Sequence, residues 1–387
     1  MISLCQATIA EEPLRGTQSL DMDQPLDVEM VAGIDRFALR ELALAREQRE
    51  SRWERDYSSA EAYQQSLEPY REKLAKLIGV VDARVEARGI EFVDTTTQPS
   101  LVAENASVAV YAVRWPVLDG VSAEGLFLKP KHGPPRARVV AIPDADWTPE
   151  MITGLEACPS TFAIDLAGLG CEVLVPTLIN RDHRYSGNAS IGRTTNLTHR
   201  EFVYRQAFEL GRHVIGYEVQ KVLAAVDQFE LRNQRNEDLP IAVVGVSEGG
   251  LIAFYSAALD VRIDAAVVSG YFDRRERLWD EPIYRNVWSL LTLFGDAEIA
   301  GMIAPRRLWI EATPEIPVIP GPPQAARNIA APGSIQKLNR NSVRSEFERA
   351  AVHWENMKSW TDHGILELQA SDGAGSAPLG FELVGQV

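Results

Sequence analysis

One serine stands between glycines at the end of an apolar run in the middle of the chain. The stretch IAVVGVSEGGLIAFYSAALD, residues 241–260, contains the pattern Gly245-x-Ser247-x-Gly249. At a tight turn from a strand into a helix, a serine hydroxyl projects from the edge of a sheet and can attack a carbonyl carbon. The five-residue pattern is weak alone, but the apolar run before it and the helical pattern after it supply that context. Ser247 is the candidate nucleophile, and a glycine-rich turn whose serine only caps a helix is the alternative.

The residue after the serine has a candidate role of its own. The amide of Glu248 would lie at the N-terminus of the following helix, where an N–H group and the helix dipole stabilise negative charge. This pattern predicts that Glu248 donates one hydrogen bond to an oxyanion.

Alternating strands and helices must position these groups. Apolar runs without polar alternation predict strands that are buried on both faces, as in a parallel sheet. The predicted strands are VVAIP, EVLVPTLI, IAVVGV, IDAAVVSGYF, RRLWIEAT and GILELQAS. A long amphipathic helix is predicted from His199 onward, with a break at Gly211 or Gly216. Residues 1–80 are interpreted as a lead-in and helical extension, and residues 81–387 as the main domain, with a lid-like insertion near 272–305.

From about Val110 onward the chain resembles the α/β-hydrolase superfamily, and within it the carbohydrate esterases similar to dienelactone hydrolase and acetyl xylan esterase. The resemblance rests on the nucleophile elbow, which is the turn of residues 245–249 around Ser247, and on DGVSAEGLFLKP, VVAIPDADW and IDAAVVSGYF. It implies an α/β-hydrolase fold with a mostly parallel sheet flanked by helices. The implied activity is hydrolysis of acyl or methyl esters on carbohydrate through a serine acyl-enzyme. Where the family usually has His-Gly in the oxyanion loop, this chain has Asp144-Ala145, and the second oxyanion amide is carried over to Asp146.

The resemblance also implies a triad acid after a strand that follows the nucleophile. RRLWIEAT places Glu311 at the end of such a strand, where a carboxylate can orient a histidine. A surface glutamate that closes the strand is the alternative interpretation. Asp273 and Asp372 are rival acids.

The histidine that the family places after the last strand is missing from SDGAGSAPLG. Chain order favours His353, while His183 lies in a loop after a strand and His363 precedes the last strand. The remaining histidines are His132, His199 and His213. Two alternatives stay open beside these: the chain is incomplete and its base lies beyond Val387, or the protein is catalytically silent. In the silent case the serine would stay protonated at neutral pH, because no base activates it.

Side chains near the predicted site suggest a substrate but do not define one. Trp279, Tyr284 and Trp288 lie in the insertion and suit either sugar recognition or a small core of a lid. Arg200 and Arg205 suit either a carboxylate-bearing substrate or structural salt bridges. A serine peptidase would need a gating domain, for which the first 135 residues are too few and too helical.

Composition excludes several classes of partner. The formal net charge of −15 opposes nucleic acid and anionic membranes. No run of about 18 apolar residues predicts a membrane span, and no Cys/His or HExxH spacing predicts a metal, so neither metal nor cofactor is expected. The start, MISLCQATIAEEP, is either an ordinary terminus or the remnant of an export signal, which leaves the choice between a cytoplasmic and an exported protein open. The oligomeric state is also open.

Overall fold

The computed structural model describes residues 15–17, 24–186, 190, 195–313, 318–357, 366–370 and 378–379. The strands are β1 (Glu91–Phe92), β2 (Leu101–Glu104), β3 (Val108–Leu118), β4 (Val121–Pro130), β5 (Arg138–Ile142), β6 (Glu172–Pro176), β7 (Ile241–Val246), β8 (Ala265–Ser269), β9 (Arg307–Ala312) and β10 (Leu366–Ala370). The α-helices are α1 (Leu26–Gln48), α2 (Ala60–Leu77), α3 (Pro149–Ile152), α4 (Phe162–Gly168), α5 (His199–Phe208), α6 (Val214–Arg235), α7 (Glu248–Leu259), α8 (Asp296–Ile303) and α9 (Arg340–Glu355).

One sheet joins all of these strands in the order β1-β3-β4-β6-β5-β7-β8-β9-β10, and β2 pairs with β3. The pairs β3–β4 and β4–β6 are antiparallel, and the five pairs from β6 to β10 are parallel. Every residue of β5, β6, β7 and β8 is buried. Parallel strands of this kind are buried on both faces, which explains why their sequences are apolar throughout and do not alternate with polar residues. The predicted mostly parallel sheet is confirmed.

Helices cover both faces of the sheet. One apolar cluster packs α6, α7 and α8 on one face, and a second packs α3 and α4 on the other. At the junction between α5 and α6, Gly211 adopts a φ of 66°, which explains why the predicted long helix breaks there. Gly216, the other predicted break, lies inside α6, where a Cβ would meet the carbonyl oxygen of Ile78 at 2.4 Å.

The N-terminal helices differ in how they meet this body. Ser59 caps α2 by accepting a hydrogen bond from the amide of Ala62. Tyr63, Leu67 and Leu74 of α2 are buried in the same apolar cluster as the sheet. In contrast, no residue of α1 is buried. The division of the chain at residue 80 stays a prediction, although the core of the main body includes α2. None of the helices in the described part of the chain has the length and apolar content that a bilayer crossing requires.

Candidate functional site

Ser247 occupies the corner between β7 and α7 with a φ of 54° and a ψ of −111°, a conformation that residues other than glycine rarely adopt. Its amide donates to the carbonyl oxygen of Ser269, 2.8 Å away on the neighbouring strand. Two glycines permit the corner. A Cβ on Gly245 would lie 2.1 Å from the carbonyl oxygen of Gly249, and a Cβ on Gly249 would lie 2.3 Å from that of Ile142. The strand, the strained turn and the helix predicted from the sequence are therefore all present.

The two amides named as oxyanion donors both point at one carboxylate. The amide nitrogen of Glu248 lies 3.2 Å from Oδ1 of Asp144, and that of Asp146 lies 3.1 Å from Oδ2. Asp144 follows β5 closely, and its side chain is buried. The structure thus brings Ser247, Glu248 and Asp146 together and places an anionic group of the protein itself between the two amides.

Arg181 holds this carboxylate with two nitrogens. Its Nη1 lies 2.8 Å from Oδ2 of Asp144, and its Nη2 lies 3.3 Å from Oδ1. Burial raises the pKa of Asp144, but Arg181, with a smaller contribution from the Ser247 side chain, outweighs burial and holds that pKa well below its usual range. Asp144 is consequently an anion at any physiological pH, and a weak proton acceptor for Ser247.

The carboxylate of Glu248 is the centre of a second buried ion cluster. Arg285 lies 2.9 Å from Oε2, Arg181 lies 3.1 Å from the same oxygen, and Arg200 lies 3.1 Å from Oε1. Burial raises the pKa of Glu248, and the three guanidinium groups together lower it to about 2. Arg200 also pairs with buried Glu218 at 2.9 Å. Because buried charges need partners, this cluster is expected to fix the start of α7 in one position.

Glu311, the predicted acid, is buried near the end of β9. Its Oε2 accepts a 2.5 Å hydrogen bond from Oγ of Ser269 and a 3.0 Å hydrogen bond from the amide of Leu379. Burial raises the pKa of Glu311. The carboxylate is two strands from the elbow in the sheet, and its described partners are a hydroxyl and an amide. Its role as triad acid stays a prediction.

His353, the predicted base, lies on α9 with its ring against α8. Its Nδ1 is 2.9 Å from the hydroxyl of Tyr57, and its Cδ2 would be 2.6 Å from a Cβ on Gly301. Burial lowers the pKa of His353 to about 3, with a smaller effect from nearby arginines. The contacts described for this ring do not include Ser247 or Glu311. The structure therefore does not bring the three predicted catalytic side chains together, and the catalytic role of His353 stays a prediction.

Three other described histidines, His213, His199 and His132, also have partners away from the elbow. Nε2 of His213 lies 3.0 Å from the carbonyl oxygen of Asn286, and burial lowers the pKa of His213 to about 4. Nδ1 of His199 lies 2.8 Å from Oδ1 of Asn180, and Nε2 of His132 lies 2.9 Å from the carbonyl oxygen of Ala106. No described contact joins any histidine ring to Ser247. His363 and the rival acid Asp372 lie outside the described residues.

Solved structures of other proteins align with this chain over most of its length. The chain aligns with a proposed acetyl xylan esterase from Bacteroides fragilis at a TM-score of 0.55 and 13% identity, over 85% of this chain and 80% of the other. It aligns with a methylesterase at a TM-score of 0.52 and 14% identity, over 91% of this chain and 68% of the other. No family model matches the chain, and the search of curated proteins returns no match.

The chain has the α/β-hydrolase fold. The resemblance stated from the sequence is confirmed for the fold by these two solved structures. At identities of 13% and 14%, the likeness does not carry an activity over to this chain.

Two cavities are lined by arginines that contact Glu248 of the elbow. A cavity of about 460 Å³ lies beyond the end of β8, and one of about 210 Å³ lies beside Arg181. The larger is lined by residues that include Gly270, Asp273, Arg285 and Lys337, and the smaller by residues that include Asp146, Arg181, Tyr284 and Pro320. Ser247 lines neither cavity and is only 2% exposed. The Asp144–Arg181 pair lies between the serine and the smaller cavity.

The aromatic and basic residues of interest divide between structural and exposed positions. Tyr284 is buried, and its hydroxyl accepts a 2.8 Å hydrogen bond from Nε of Arg181. Trp279 and Trp288 are 54% and 75% exposed. Arg200 belongs to the buried ion cluster around Glu248. This agrees with the second interpretation offered from sequence, which was structural salt bridges.

Sequence reasoning missed the residues that dominate the electrostatics of the site. Arg181 lies in a loop and Arg285 in a short 3₁₀ helix far from it in the chain, and only the fold brings them to Glu248. Asp144 was visible as a departure from the His-Gly of the oxyanion loop. The sequence showed that a charged residue stands in this loop, but it did not show that this residue pairs with Arg181.

Proposed function

We propose that this α/β-hydrolase is a carboxylic ester hydrolase that acts on acyl or methyl esters of carbohydrate, with Ser247 as the nucleophile. The observation that carries the proposal is the convergence of two backbone amides on one anionic group beside a strained serine. Amides that hold a carboxylate can equally hold the oxyanion of a tetrahedral intermediate. The names of the aligned structures support an ester on carbohydrate as the first substrate class to test.

In this proposal, Ser247 attacks the ester carbonyl carbon, and the carbonyl oxygen becomes the oxyanion that accepts from Glu248 and Asp146. A base takes the proton from Oγ of Ser247 and gives it to the alcohol as the ester C–O bond breaks. Water, deprotonated by the same base, then attacks the acyl-enzyme, which releases the acid and returns the proton to Oγ. Asp144 must leave the two amides before an oxyanion can occupy them, because each amide hydrogen has one acceptor there. Glu311 is the proposed acid, and His353 is the base that chain order favours.

A second candidate function is ligand binding without turnover, and the same carboxylate favours it. Asp144 takes up both amides and is fixed by two nitrogens of Arg181. Within the described residues, every histidine ring with a described contact is paired away from the elbow. In such a site, Asp144 already occupies both oxyanion donors, and the serine hydroxyl stays protonated because no histidine among the described residues accepts its proton.

Labelling with a fluorophosphonate separates the two functions. The wild-type chain and the variants Ser247→Ala, Asp144→Ala and His353→Ala are incubated with the probe, and the modified peptide is mapped by mass spectrometry. Labelling of wild type at Ser247, lost in Ser247→Ala, supports the esterase. If Asp144→Ala is labelled and wild type is not, the serine and the two amides can react, and Asp144 blocks them in the wild-type chain. Absence of label in both, while circular dichroism shows them folded, rejects the esterase and leaves the binding function.

Turnover is then tested on substrates of the proposed class. Acetylated xylan and methyl-esterified uronic acid oligosaccharides are compared with nitrophenyl acetate. Hydrolysis that survives in Ser247→Ala would contradict the assigned nucleophile. Loss of hydrolysis in His353→Ala with an unchanged melting temperature would support that histidine as the base.

A further inference from the structure

Helix α1 carries an apolar face that the described body of the protein does not cover. Leu26, Met30, Ile34 and Phe37 follow one another at spacings of four, four and three residues, which places them on one side of the helix. Their exposed fractions are 56%, 66%, 65% and 54%. Four large apolar side chains, each more than half exposed on one line, form a patch of the kind that marks an interaction surface. We call these four residues the α1 stripe.

The charges beside the α1 stripe indicate what covers it. Glu29, Arg36 and Arg40 lie along one edge of the stripe, since they are seven and four residues apart. The acid is toward the N-terminal end of the helix, and the two bases are toward the C-terminal end. In an antiparallel pair of identical helices, each edge faces the same edge of the partner, and the direction is reversed. Within one copy, Arg40 pairs with the exposed Glu41 at 3.1 Å. In the antiparallel pair, Glu29 of one copy faces Arg36 and Arg40 of the other, so Arg40 exchanges or shares its partner, and the same contact occurs twice.

From this complementarity we propose that the α1 stripe is a dimer interface, at which a second copy of this chain packs its own α1 in the antiparallel direction. The symmetry axis passes close to Gly33 and Ile34, midway between Glu29 and the centre of Arg36 and Arg40. Met30 of one copy then lies against Phe37 of the other. Opposed helix directions also place the positive N-terminal end of each helix beside the negative C-terminal end of its partner.

The surroundings of α1 give the second copy further contact area. A helix of 23 residues is about 34 Å long. A groove of about 500 Å³ continues from Phe37 between α1 and the insertion, and its lining includes Leu42, Leu278, Trp279 and Leu290. A specific interface buries roughly 800 Å² per partner, so the second copy has to contact the groove as well as the helix face. The proposal does not depend on whether Ser247 is catalytic.

Charge reversal provides the sharpest test, with sedimentation equilibrium of the full chain as the measurement. Glu29→Arg and the double variant R36E/R40E should each raise the dimer dissociation constant by roughly tenfold or more, because each opposite-charge contact becomes a like-charge contact at two symmetric places. The triple variant E29R/R36E/R40E restores the opposite pairing and should return the dissociation constant to within about threefold of wild type. A triple variant that stays as weak as its parents would overturn the antiparallel arrangement.

An apolar substitution and a cross-link complete the test. Ile34→Asp should give a monomer, whereas Leu39→Asp should not, since Leu39 and Val28 lie on the opposite side of α1 and are 43% and 46% exposed. Ile34→Cys, next to the axis, should form a covalent dimer on mild oxidation, and Leu39→Cys should not. Far-ultraviolet circular dichroism checks that each variant keeps its helices. A wild-type chain that stays monomeric at 100 µM, or that binds zwitterionic vesicles through the α1 stripe as a monomer, would refute the dimer.

Discussion

Replacement of Asp144 by asparagine removes one negative charge from the elbow while it keeps the size of the side chain. In the wild-type structure, each oxygen of Asp144 accepts a hydrogen bond from a backbone amide and another from Arg181. Asparagine offers one oxygen and one NH₂ group. One amide and one guanidinium N–H therefore lose their acceptor and face a donor instead.

The expected cost in the free energy of unfolding follows from these contacts. A buried donor without an acceptor costs about 1–3 kcal/mol, and removal of one partner from a buried ion pair costs about 3–5 kcal/mol. Arg181 keeps Asp146 at 3.0 Å and Glu248 at 3.1 Å as anionic partners, which reduces the second figure. We expect Asp144→Asn to lower the free energy of unfolding at pH 7 by about 2–4 kcal/mol. The control is Asp146→Asn, whose carboxylate touches the same Arg181 but is 44% exposed, with an expected cost below about 1 kcal/mol.

The difference between wild type and Asp144→Asn should also depend on pH. The pKa of Asp144 is lowered in the folded state, so its contribution to stability is fully present above the unfolded pKa of about 4 and is lost as the pH falls below that value. Urea denaturation at pH 7, 5, 4 and 3 should show a constant gap down to about pH 5 and a narrowing gap below pH 4. A cost equal to that of Asp146→Asn, or a gap that stays constant to pH 3, would refute this reasoning.

Three further variants test the elbow and the helices around it. Ser247→Gly should exceed Ser247→Ala in free energy of unfolding by about 1 kcal/mol, because only glycine adopts the φ of 54° without strain, and equal stabilities would show that the corner relaxes. Gly249→Ala should destabilise by more than about 3 kcal/mol, since its Cβ would lie 2.3 Å from two carbonyl oxygens, whereas Gly168→Ala, with nothing within 4 Å, should be neutral in the same urea titration. His353→Gln should remove a pH dependence from the unfolding free energy. The folded pKa of His353 is lowered to about 3, so wild type loses up to about 1.4 kcal/mol per pH unit below pH 6.5 relative to the variant, and parallel pH curves would contradict the buried neutral ring.

The strands and helices that hold the site were predictable because their signals are local. The apolar runs of β5 to β9 have no polar alternation, since both faces of a parallel sheet are buried, and this feature is visible without any structure. The elbow is equally local, because the glycines that permit the strained turn lie within five residues of Ser247. The amides of Glu248 and Asp146, predicted as oxyanion donors, lie on one carboxylate in the structure, and their role as oxyanion donors stays a prediction.

The partners of the charged side chains could not be read from the sequence. The carboxylate of Glu248 meets Arg181, Arg200 and Arg285, which lie 67, 48 and 37 residues away along the chain. A guanidinium has no sequence signal for which carboxylate it will reach, because the pairing depends on which loops the sheet brings to one edge. For the same reason, chain order pointed to His353 as the base, while packing of α9 on α8 turned its ring toward Tyr57.

The sequence by itself determined the sheet, the corner at Ser247 and the two amides beside it, because strand burial and turn geometry act over a few residues. Tertiary structure alone decided that Asp144 fills those amides and that Arg181 holds it there. Charges pair through space, and in the low-dielectric interior the carboxylates of Asp144 and Glu248 depend on arginines that are distant in the sequence. In the described structure, the amides beside the serine are therefore occupied by a carboxylate, and no local sequence pattern predicts the salt bridge that holds this carboxylate there.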